Sequence, residues 1–351
     1  MSTMEIYTST SQLPDFHTRW LELCHESGHI LQHPLWARFK EEFGWKPLRV
    51  AIGQEGKLWA GAQILLRPLP LGFHIAYIPR GPMLRQQDVH LLRELVRAID
   101  QVLRGHRTLF LKMEPNWEDT SDARELLRAA GFRPSPQTIQ PRSTIQVDLR
   151  PDPETILARM KSKWRYNIRL ARRKGVLVRP AEARDLPHFL RLLEETARRD
   201  AFALHSPDYY RRAWELLVPA GLGTLLMAWY QDMPLAGIFV TAWNRTGIYM
   251  YGASSNRERQ RMPNHLLQWE GMMWARNQGC TVYDMWGIPD EVGAHPEVWQ
   301  QRVPDRTDGL WGVFRFKQGF GGRIVRMVGA WDRVYNRAGY WAYQLFLSVR
   351  R

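Results

Sequence analysis

One order of segments occurs twice in this chain, and a long repeated unit must either stack on itself or fold twice as a domain. Residues 50–61 lead into the apolar stretch 62–66, then 73–77 and a turn at Arg80 and Gly81. Residues 227–237 lead into 238–243, then 247–251 and Gly252. In each copy, short β-branched or aromatic runs are bounded by Gly, Pro or Asp, which predicts strand, tight turn, strand, turn, strand. A helical stretch follows each copy, over 89–103 with Leu92, Leu95, Val96 and Ile99 at helical spacing, and over 264–277. Another strand comes next, at 108–113 and at 281–285, and then a proline, Pro115 and Pro289, 174 positions apart. Solenoid repeats have periods of roughly 20–50 residues, so this spacing predicts a duplicated α+β domain. The length agrees, since 351 residues exceed one ordinary domain of roughly 100–200.

The strand and helix order resembles the acyltransferase fold of the GNAT superfamily, in which a central strand splays from its neighbour and leaves a cleft for the acyl donor. The expected boundaries are 1–148 for the first GNAT-like domain and 149–321 for the second, with a segment of about 322–351 returning to the first. The crossing is read at 148–152, followed by helices at 153–174, 183–199 and 207–217. Pro180, Pro187 and Pro207 leave no room for a long coiled-coil arm in this stretch.

Forty-nine Lys and Arg against 35 Asp and Glu give a net charge of +14, which favours a polyanionic partner. The charge is concentrated between Arg159 and Arg179, where nine residues are basic and none is acidic. A stripe through Met160, Trp164, Ile168 and Ala171 turns the other side of that helix outward, and Lys163, Arg165, Arg169 and Arg172 become candidate phosphate contacts. Exposed helices ordinarily mix signs, because pairs at i,i+4 support one another.

Cys24 and Cys280 form no paired motif, so neither a disulfide framework nor a zinc cluster is expected, and a reducing, cytoplasmic setting fits. The N-terminus shows no signal-peptide pattern, and no apolar window is long enough to span a membrane. His25, His29 and His33 recur at every fourth position, but Gly28 and Pro34 interrupt any helix that would align them on a metal. Phosphate-loop and nucleophile-elbow motifs are absent, which argues against a covalent intermediate. The most pointed local signal is the stretch 311–322, in which Lys317 lies among Phe314, Phe316 and Phe320 just before a glycine cluster. A lysine so placed can sit in an apolar wall beside a closely approached backbone, or it can snorkel from a core element. Tyr249, Tyr251, Asp284 and Trp286 cluster at strand ends, where either tyrosine could equally be core.

Taken together, several motifs resemble the Fem family, the non-ribosomal aminoacyltransferases that build peptidoglycan interpeptide bridges. They are Trp36 to Lys40 in the context Gln-His-Pro-Leu-Trp-Ala-Arg-Phe-Lys, Arg80 in Tyr-Ile-Pro-Arg-Gly-Pro, and Arg142 in Ile-Gln-Pro-Arg. The others are Lys-Ser-Lys-Trp-Arg before Arg169, Tyr251-Gly-Ala-Ser, Tyr-Asp-Met-Trp286-Gly-Ile, and Phe316-Lys317-Gln-Gly-Phe-Gly-Gly. The resemblance implies two GNAT-like domains side by side, with the aminoacyl end in the second and a peptidoglycan precursor in the groove between them. It further implies that Lys40 contacts the precursor diphosphate, that Glu114 lies near the acceptor amine, and that Tyr251, Phe316 and Lys317 surround the reaction. Trp36, Arg80, Arg142 and Trp286 become candidate substrate contacts. One departure bears on the acceptor, named as a UDP-linked or lipid-linked precursor: at Ser206 a relative that uses a nucleotide-linked precursor carries arginine, which counts against a UDP-linked acceptor and leaves a lipid-linked one open.

The resemblance implies direct attack of the acceptor amine on the ester of aminoacyl-tRNA, with aminoacyl-tRNA as co-substrate and no cofactor or metal. A monomer is expected, with peripheral contact at the inner face of the plasma membrane. Two other functions compete. A GNAT-type acyltransferase using acyl-CoA would need a glycine-containing pyrophosphate turn before the long helix, and residues 257–263 hold no glycine. A non-catalytic tRNA- or envelope-binding relative would keep the fold without the chemistry.

Overall fold

The computed structural model describes residues 4–8, 15–200, 203–301, 305–306 and 308–349. The chain divides into two compact units, residues 1–142 with 327–351, and residues 143–326. In chain order the first unit begins with β1 (Glu5–Thr8), α1 (Phe16–Ser27), α2 (Pro34–Glu41), β2 (Lys46–Gln54), β3 (Lys57–Pro68) and β4 (His74–Pro79). It continues with β5 (Met83–Leu84), α3 (Val89–Arg104), β6 (Thr108–Glu114), α4 (Ser121–Ala129) and β7 (Arg133–Pro134). The second unit opens with β8 (Ser143–Asp148), α5 (Pro153–Arg159), α6 (Ser162–Arg173), β9 (Val176–Pro180), α7 (Leu186–Asp200) and α8 (Pro207–Leu217). Then come β10 (Gly223–Tyr230), β11 (Met233–Trp243), β12 (Thr246–Ser254), α9 (Pro263–Asn277) and β13 (Val282–Ile288). After α10 (Asp290–Ala294), α11 (Pro296–Gln301), α12 (Trp311–Gln318) and β14 (Arg323–Arg326), the chain returns to the first unit as β15 (Trp331–Val334) and α13 (Arg337–Val349).

The two sheets have the same strand plan. The first runs β1-β2-β3-β4-β6-β15-β7 and the second β9-β10-β11-β12-β13-β8-β14. In both, three antiparallel strands lead to one parallel neighbour, β4 with β6 and β12 with β13. The duplicated α+β architecture expected from the repeat is therefore present along the seven-strand path, with β5, paired to β3, as an addition of the first sheet. Helix α3 buries Leu92, Leu95, Val96 and Ile99 on the first sheet, as their spacing predicts, and Asp88 caps its N-terminus by accepting from Leu91 N at 2.9 Å.

The boundaries differ from the expected 148 and 322. The chain crosses after Arg142 and returns at Met327, because β8 pairs with β13 and with β14 inside the second sheet. Each sheet is thus completed by a strand from outside its own repeat: β8 follows the first repeat and serves the second, whereas β15 follows the second and serves the first. The expected single helix over 153–174 is also two helices. It breaks at Met160, which is extended (ψ 154), and Lys161 N then donates to Gly319 O at 2.9 Å. The proline-rich stretch before β10 holds α7 and α8, with no long arm among the described residues, where no helix is long and apolar enough to cross a membrane.

A buried ion pair fixes the return. Lys112 Nζ on β6 lies 3.0 Å from Asp332 Oδ1 on β15, both buried, and Tyr340 of α13 donates to Asp332 Oδ2 at 2.9 Å. Removing one partner leaves an uncompensated buried charge, which costs about 3–5 kcal/mol. Asp332→Ala is expected to lower unfolding stability by about that amount in denaturant titration, and to speed amide exchange across α13. A variant with wild-type stability and wild-type exchange would show that the pair does not anchor the returning segment.

Candidate functional site

In the first unit, His33 Nδ1 accepts from Leu35 N at 3.1 Å and caps α2, with Pro34 as the first helical residue. His29 uses its Nδ1 in the same way on Leu31 N, so these two histidines of the periodic triplet act as helix caps. Trp36 and Lys40 stand one turn apart on α2. The Lys40 ammonium lies 5.9 Å from the Trp36 ring centroid, 5.9 Å from Phe39 and 5.8 Å from Trp45. The Arg67 guanidinium takes a place 5.5 Å from the same Trp45 ring. Burial, and to a lesser degree Arg67, lowers the Lys40 pKa to about 8. Two cations on a shared aromatic wall repel each other, and an anion bound there would relieve the repulsion.

Glu114, Arg80 and Arg142 hold the end of this unit together. Glu114, 2% exposed, accepts from the Tyr77 hydroxyl, from Ile139 N at 2.6 Å and from Gln140 N at 3.0 Å. Burial raises its pKa, against the lowering effect of those donors. Its oxygens face the protein's own donors, so it positions residues 139–140 and seals β4 to β6. Arg80, in the left-handed region at φ 51, donates to Pro141 O at 2.6 Å. Arg142 donates to Met327 O at 3.0 Å and to Asp119 at 3.0 Å, clamping the returning strand segment.

The two copies differ most where the parallel strands meet. In the first sheet, β4 and β6 shift register once after His74 and then stay paired from Ala76 and Leu111 as far as Pro79 and Glu114. In the second, β12 and β13 pair over Thr246–Ile248 and Val282–Asp284 and then part. A bulge in β13 follows, with Trp286 at φ 62, a conformation that costs a non-glycine residue about 1–3 kcal/mol. Asp284 Oδ1 sustains it by accepting from Trp286 N at 2.7 Å and from the Thr144 hydroxyl, while Thr144 also donates to Trp286 O at 3.0 Å.

Lys317 reaches into this opening from α12. Its Nζ donates to Gly287 O at 2.8 Å and lies 5.5 Å from the Tyr249 ring centroid. Burial lowers its pKa to about 7, and the nearby Asp284 raises it only partly back. The α12 segment comes this close because residue 319 is glycine: a Cβ there would fall 2.0 Å from the Trp164 ring. Gly321, at φ 80, likewise leaves room for Arg159 O. Phe316 packs on His265 at 5.2 Å, and its carbonyl accepts from Trp164 Nε1 at 3.0 Å. His265, held near pKa 4 by burial and then by Lys163, stays neutral at pH 7.

Tyr251 lies on the other side of the sheet. Tyr249 and Tyr251 pair with consecutive residues of β11, Val240 and Phe239, across a bulge at Met250, so their side chains take opposite faces. The Tyr251 ring meets Tyr210 at 5.2 Å, and its hydroxyl bonds Tyr209, on which His205 stacks at 3.9 Å. Lys317 is therefore held against the carbonyl of Gly287, next in the chain to Trp286, with Phe316 packed beside it on His265, whereas Tyr251 belongs to a separate aromatic cluster. From sequence Tyr249 is only one of the polar groups clustered at strand ends, and His265 is not singled out at all; its place in the first turn of α9 is the one signal for it.

On the basic helix, Arg165 does not face outward as expected. It folds back to donate to Ala158 O at 3.1 Å and to Met160 O, satisfying carbonyls at the end of α5. Arg172 pairs with Glu270 at 2.8 Å, while Lys163 and Arg169 are exposed.

Residues 17–125 match the FemAB family, and residues 158–297 match the acetyltransferase (GNAT) domain. Each of these two stretches is similar to the family named for it. It is 24% identical to the lipid II:glycine glycyltransferase of Staphylococcus aureus (strain COL), over 93% of this chain and 92% of that one. That alignment runs to 402 positions, more than this chain has residues, so the relative carries insertions that this chain lacks. Among solved structures, a crystal structure of FemX shares the fold with TM-score 0.83 at 22% identity, covering 96% of this chain and 99% of that one. A tandem GNAT protein from the clavulanic acid pathway shares it at TM-score 0.54 and 13% identity, covering 94% and 98%.

The depressed Lys317 pKa makes a prediction about stability. Unfolding restores a pKa near 10.5, so between pH about 7 and 10.5 the unfolded chain binds a proton that the folded one does not, and stability rises with pH. Below about pH 7 both states are protonated, and the folded protein bears the full cost of a buried charge. In that range Lys317→Met is expected to be more stable than wild type by a few kcal/mol, since each tenfold loss of proton affinity on folding corresponds to about 1.4 kcal/mol. The difference should shrink as pH rises toward 10.5, read from denaturant midpoints across the range. A constant difference at all pH values would mean that Lys317 is not buried as an ammonium.

Proposed function

We propose that this protein is an aminoacyltransferase that moves an amino acid from aminoacyl-tRNA to an amine on the stem peptide of a lipid-linked peptidoglycan precursor. The observation that carries the proposal is the opened β12–β13 pair of the second unit, with the Lys317 ammonium buried inside it. GNAT-like folds receive their acyl donor at this opening, and here it is lined by a cation, a ring and the carbonyl of Gly287, which follows the strained Trp286.

The ester of aminoacyl-tRNA is already activated. The acceptor nitrogen attacks the carbonyl carbon, the new N–C bond forms, and the bond to the ribose oxygen breaks. The amine loses a proton and the ribose oxygen gains one. Lys317, itself buried, supplies positive charge where the carbonyl oxygen becomes an oxyanion, with little exposure to screening solvent. The Gly287 carbonyl and the Tyr249 ring orient the lysine; His265, being neutral, adds no competing charge. In the first unit, Lys40 with Arg67 suits a diphosphate, the group common to nucleotide- and lipid-linked precursors.

The lipid-linked acceptor is favoured by Ser206. Its hydroxyl accepts from Tyr209 N at 3.3 Å and caps α8, so the position at which a nucleotide-using relative carries arginine serves here as a helix cap. The named relative in Staphylococcus aureus is a lipid II glycyltransferase, which agrees. An acyl-CoA donor is disfavoured at the start of α9. The turn there has Glu258 and Met262 in left-handed conformations, Pro263 lacks an amide proton, and Arg261 is engaged with Glu258 and Lys174 O. Lys163 and Arg169 are the exposed cations of α6 suited to tRNA phosphates.

Purified protein, a pool of charged tRNAs and a lysine-containing lipid-linked precursor should together yield aminoacylated precursor, while acetyl-CoA in place of the tRNA should yield nothing. Lys317→Met should reduce turnover about a hundredfold to a thousandfold, the usual worth of one oxyanion contact, without lowering the melting temperature. Near-wild-type turnover in that variant would remove Lys317 from the reaction. Reversing Lys163 and Arg169 to Glu should weaken tRNA binding and reduce its salt slope by roughly one unit per lost phosphate contact. Unchanged binding across salt concentrations would make these residues ordinary solvated surface.

A further inference from the structure

Helix α13 is apolar on two sides and buries only one. Its inner side is fixed by Tyr340, which is buried, stands perpendicular to Phe110 at 5.1 Å and donates to Asp332. Its outer side carries Trp341, Leu345 and Phe346, which are 62%, 67% and 49% exposed. A helix that is hydrophobic all round in a water-soluble setting is normally enclosed by protein or lipid.

A second element continues this surface. The connection from β3 to β4 puts Leu69 and Phe73 into the same small cluster as Tyr340 and Tyr343. Between them, Leu71 is 83% exposed and held at φ 61. A leucine in the left-handed region and exposed at the tip of a turn is unfavourable on both counts. The charge around the patch has one sign. Arg133 lies 4.4 Å over the Tyr340 ring, Arg107 lies 4.6 Å over Phe73, and Arg337 opens the helix; all three are exposed. Neither residues 69–73 nor α13 contains an acidic residue.

We infer that α13 and the 69–73 turn form a membrane-docking surface for an anionic phospholipid leaflet, with the apolar side chains entering the interface and the arginines meeting phosphate headgroups. Apolar residues flanked by arginines, lying along one helix without acidic neighbours, have the chemistry of an interfacial anchor. A second copy of the chain would meet the same arginines and be repelled. The inference rests on the proposed lipid-linked acceptor only for its biological setting, since the docking chemistry is independent of the precursor.

The test is co-sedimentation of the full chain with vesicles containing phosphatidylglycerol, and with vesicles of phosphatidylcholine alone, neither carrying precursor. Wild type should bind the anionic vesicles in a salt-sensitive manner and the neutral ones at least roughly tenfold more weakly. The triple variant Trp341→Ser, Leu345→Ser, Phe346→Ser should lose roughly tenfold or more in partitioning while keeping wild-type melting behaviour and wild-type transfer to a water-soluble acceptor analogue. Leu71→Asp, on the separate turn, should cause a loss in the same direction and keeps the test open if the triple variant folds poorly. Wild-type failure to bind anionic vesicles overturns the inference, as does unchanged binding by both variants. So does a wild-type dimer in sedimentation velocity that the triple variant converts to monomer, since a second copy would then cover the face. Failure of the soluble transfer assay in wild type, with vesicle binding intact, would instead count against the proposed function.

Discussion

The Lys112–Asp332 pair is the contact on which the completeness of the first unit depends, because it fastens a strand that arrives after the whole second unit has been made. Two charges taken out of water attract each other strongly only if their remaining hydrogen-bond capacity is met. Here it is met: Lys112 also donates to Gln137 O at 2.8 Å, and Asp332 accepts from Tyr340. The same bonds thereby hold β15, the 135–137 segment and α13. Because β8 makes the reciprocal journey into the second sheet, neither repeat contains all of its own strands. A cut at residue 148 would place the sixth strand of the second sheet on the wrong fragment. Duplication thus produced two domains of one plan that cannot be separated at the repeat boundary.

Two copies of one plan then diverged at a single place in the sheet. In the first unit, the Tyr77–Glu114 bond and the amides of residues 139–140 close β4 onto β6, and a sealed pair of strands offers no cleft. In the second unit, the bulge held by Asp284 turns Trp286 into a strained conformation and frees Gly287 O, which the lysine then takes. Strain at such a point is expected where a site must be kept open, because an unstrained strand would simply zip. The burial that encloses Lys317 also depresses its pKa, so the lysine proposed to lend charge to the reaction is expected to weaken the fold. A charged group that costs stability persists where function holds it in place.

The parts legible in the sequence were those governed by local pattern. Strand-turn-strand runs bounded by glycine, proline and aspartate, and the apolar face of α3, follow from residue type alone, and they located both sheets. What was hidden depended on partners far along the chain. The break at Met160 is made by Gly319 O and the close approach of α12, about 160 residues away, which no periodicity in 153–174 encodes. The assignment of 143–148 failed because a short apolar strand has the same pattern in either sheet. Glu114 read as a reactive carboxylate, yet its oxygens serve the amides of residues 139–140. Tyr251 and Lys317 appeared as one centre because both sit in family-like motifs; the bulge at Met250, invisible in composition, puts Tyr249 beside the lysine instead.

The net charge of +14 shows the same limit from another direction. A basic chain suggests a polyanion, but many of its arginines are spent on backbone oxygens. Arg165 serves the end of α5, Arg142 the returning segment, Arg276 the carbonyls of Leu149 and Pro151, and Arg333 the end of α4 together with Asp100. These guanidiniums suit such work because one planar group supplies several donors at fixed angles to carbonyls that helix ends leave unsatisfied. Their charge remains part of the field around the protein, while their hydrogen bonds are no longer available to a ligand. Three groups of cations lie beside a second feature: Lys163 and Arg169 on α6, Lys40 on an aromatic wall with Arg67, which also donates to Phe43 O at 3.0 Å, and the arginines beside α13. Each group pairs positive charge with a different second feature, a one-signed helix face, a ring cage or an exposed apolar stripe. Those second features, more than the total charge, separate the chemistry suited to tRNA, to a diphosphate and to a lipid surface.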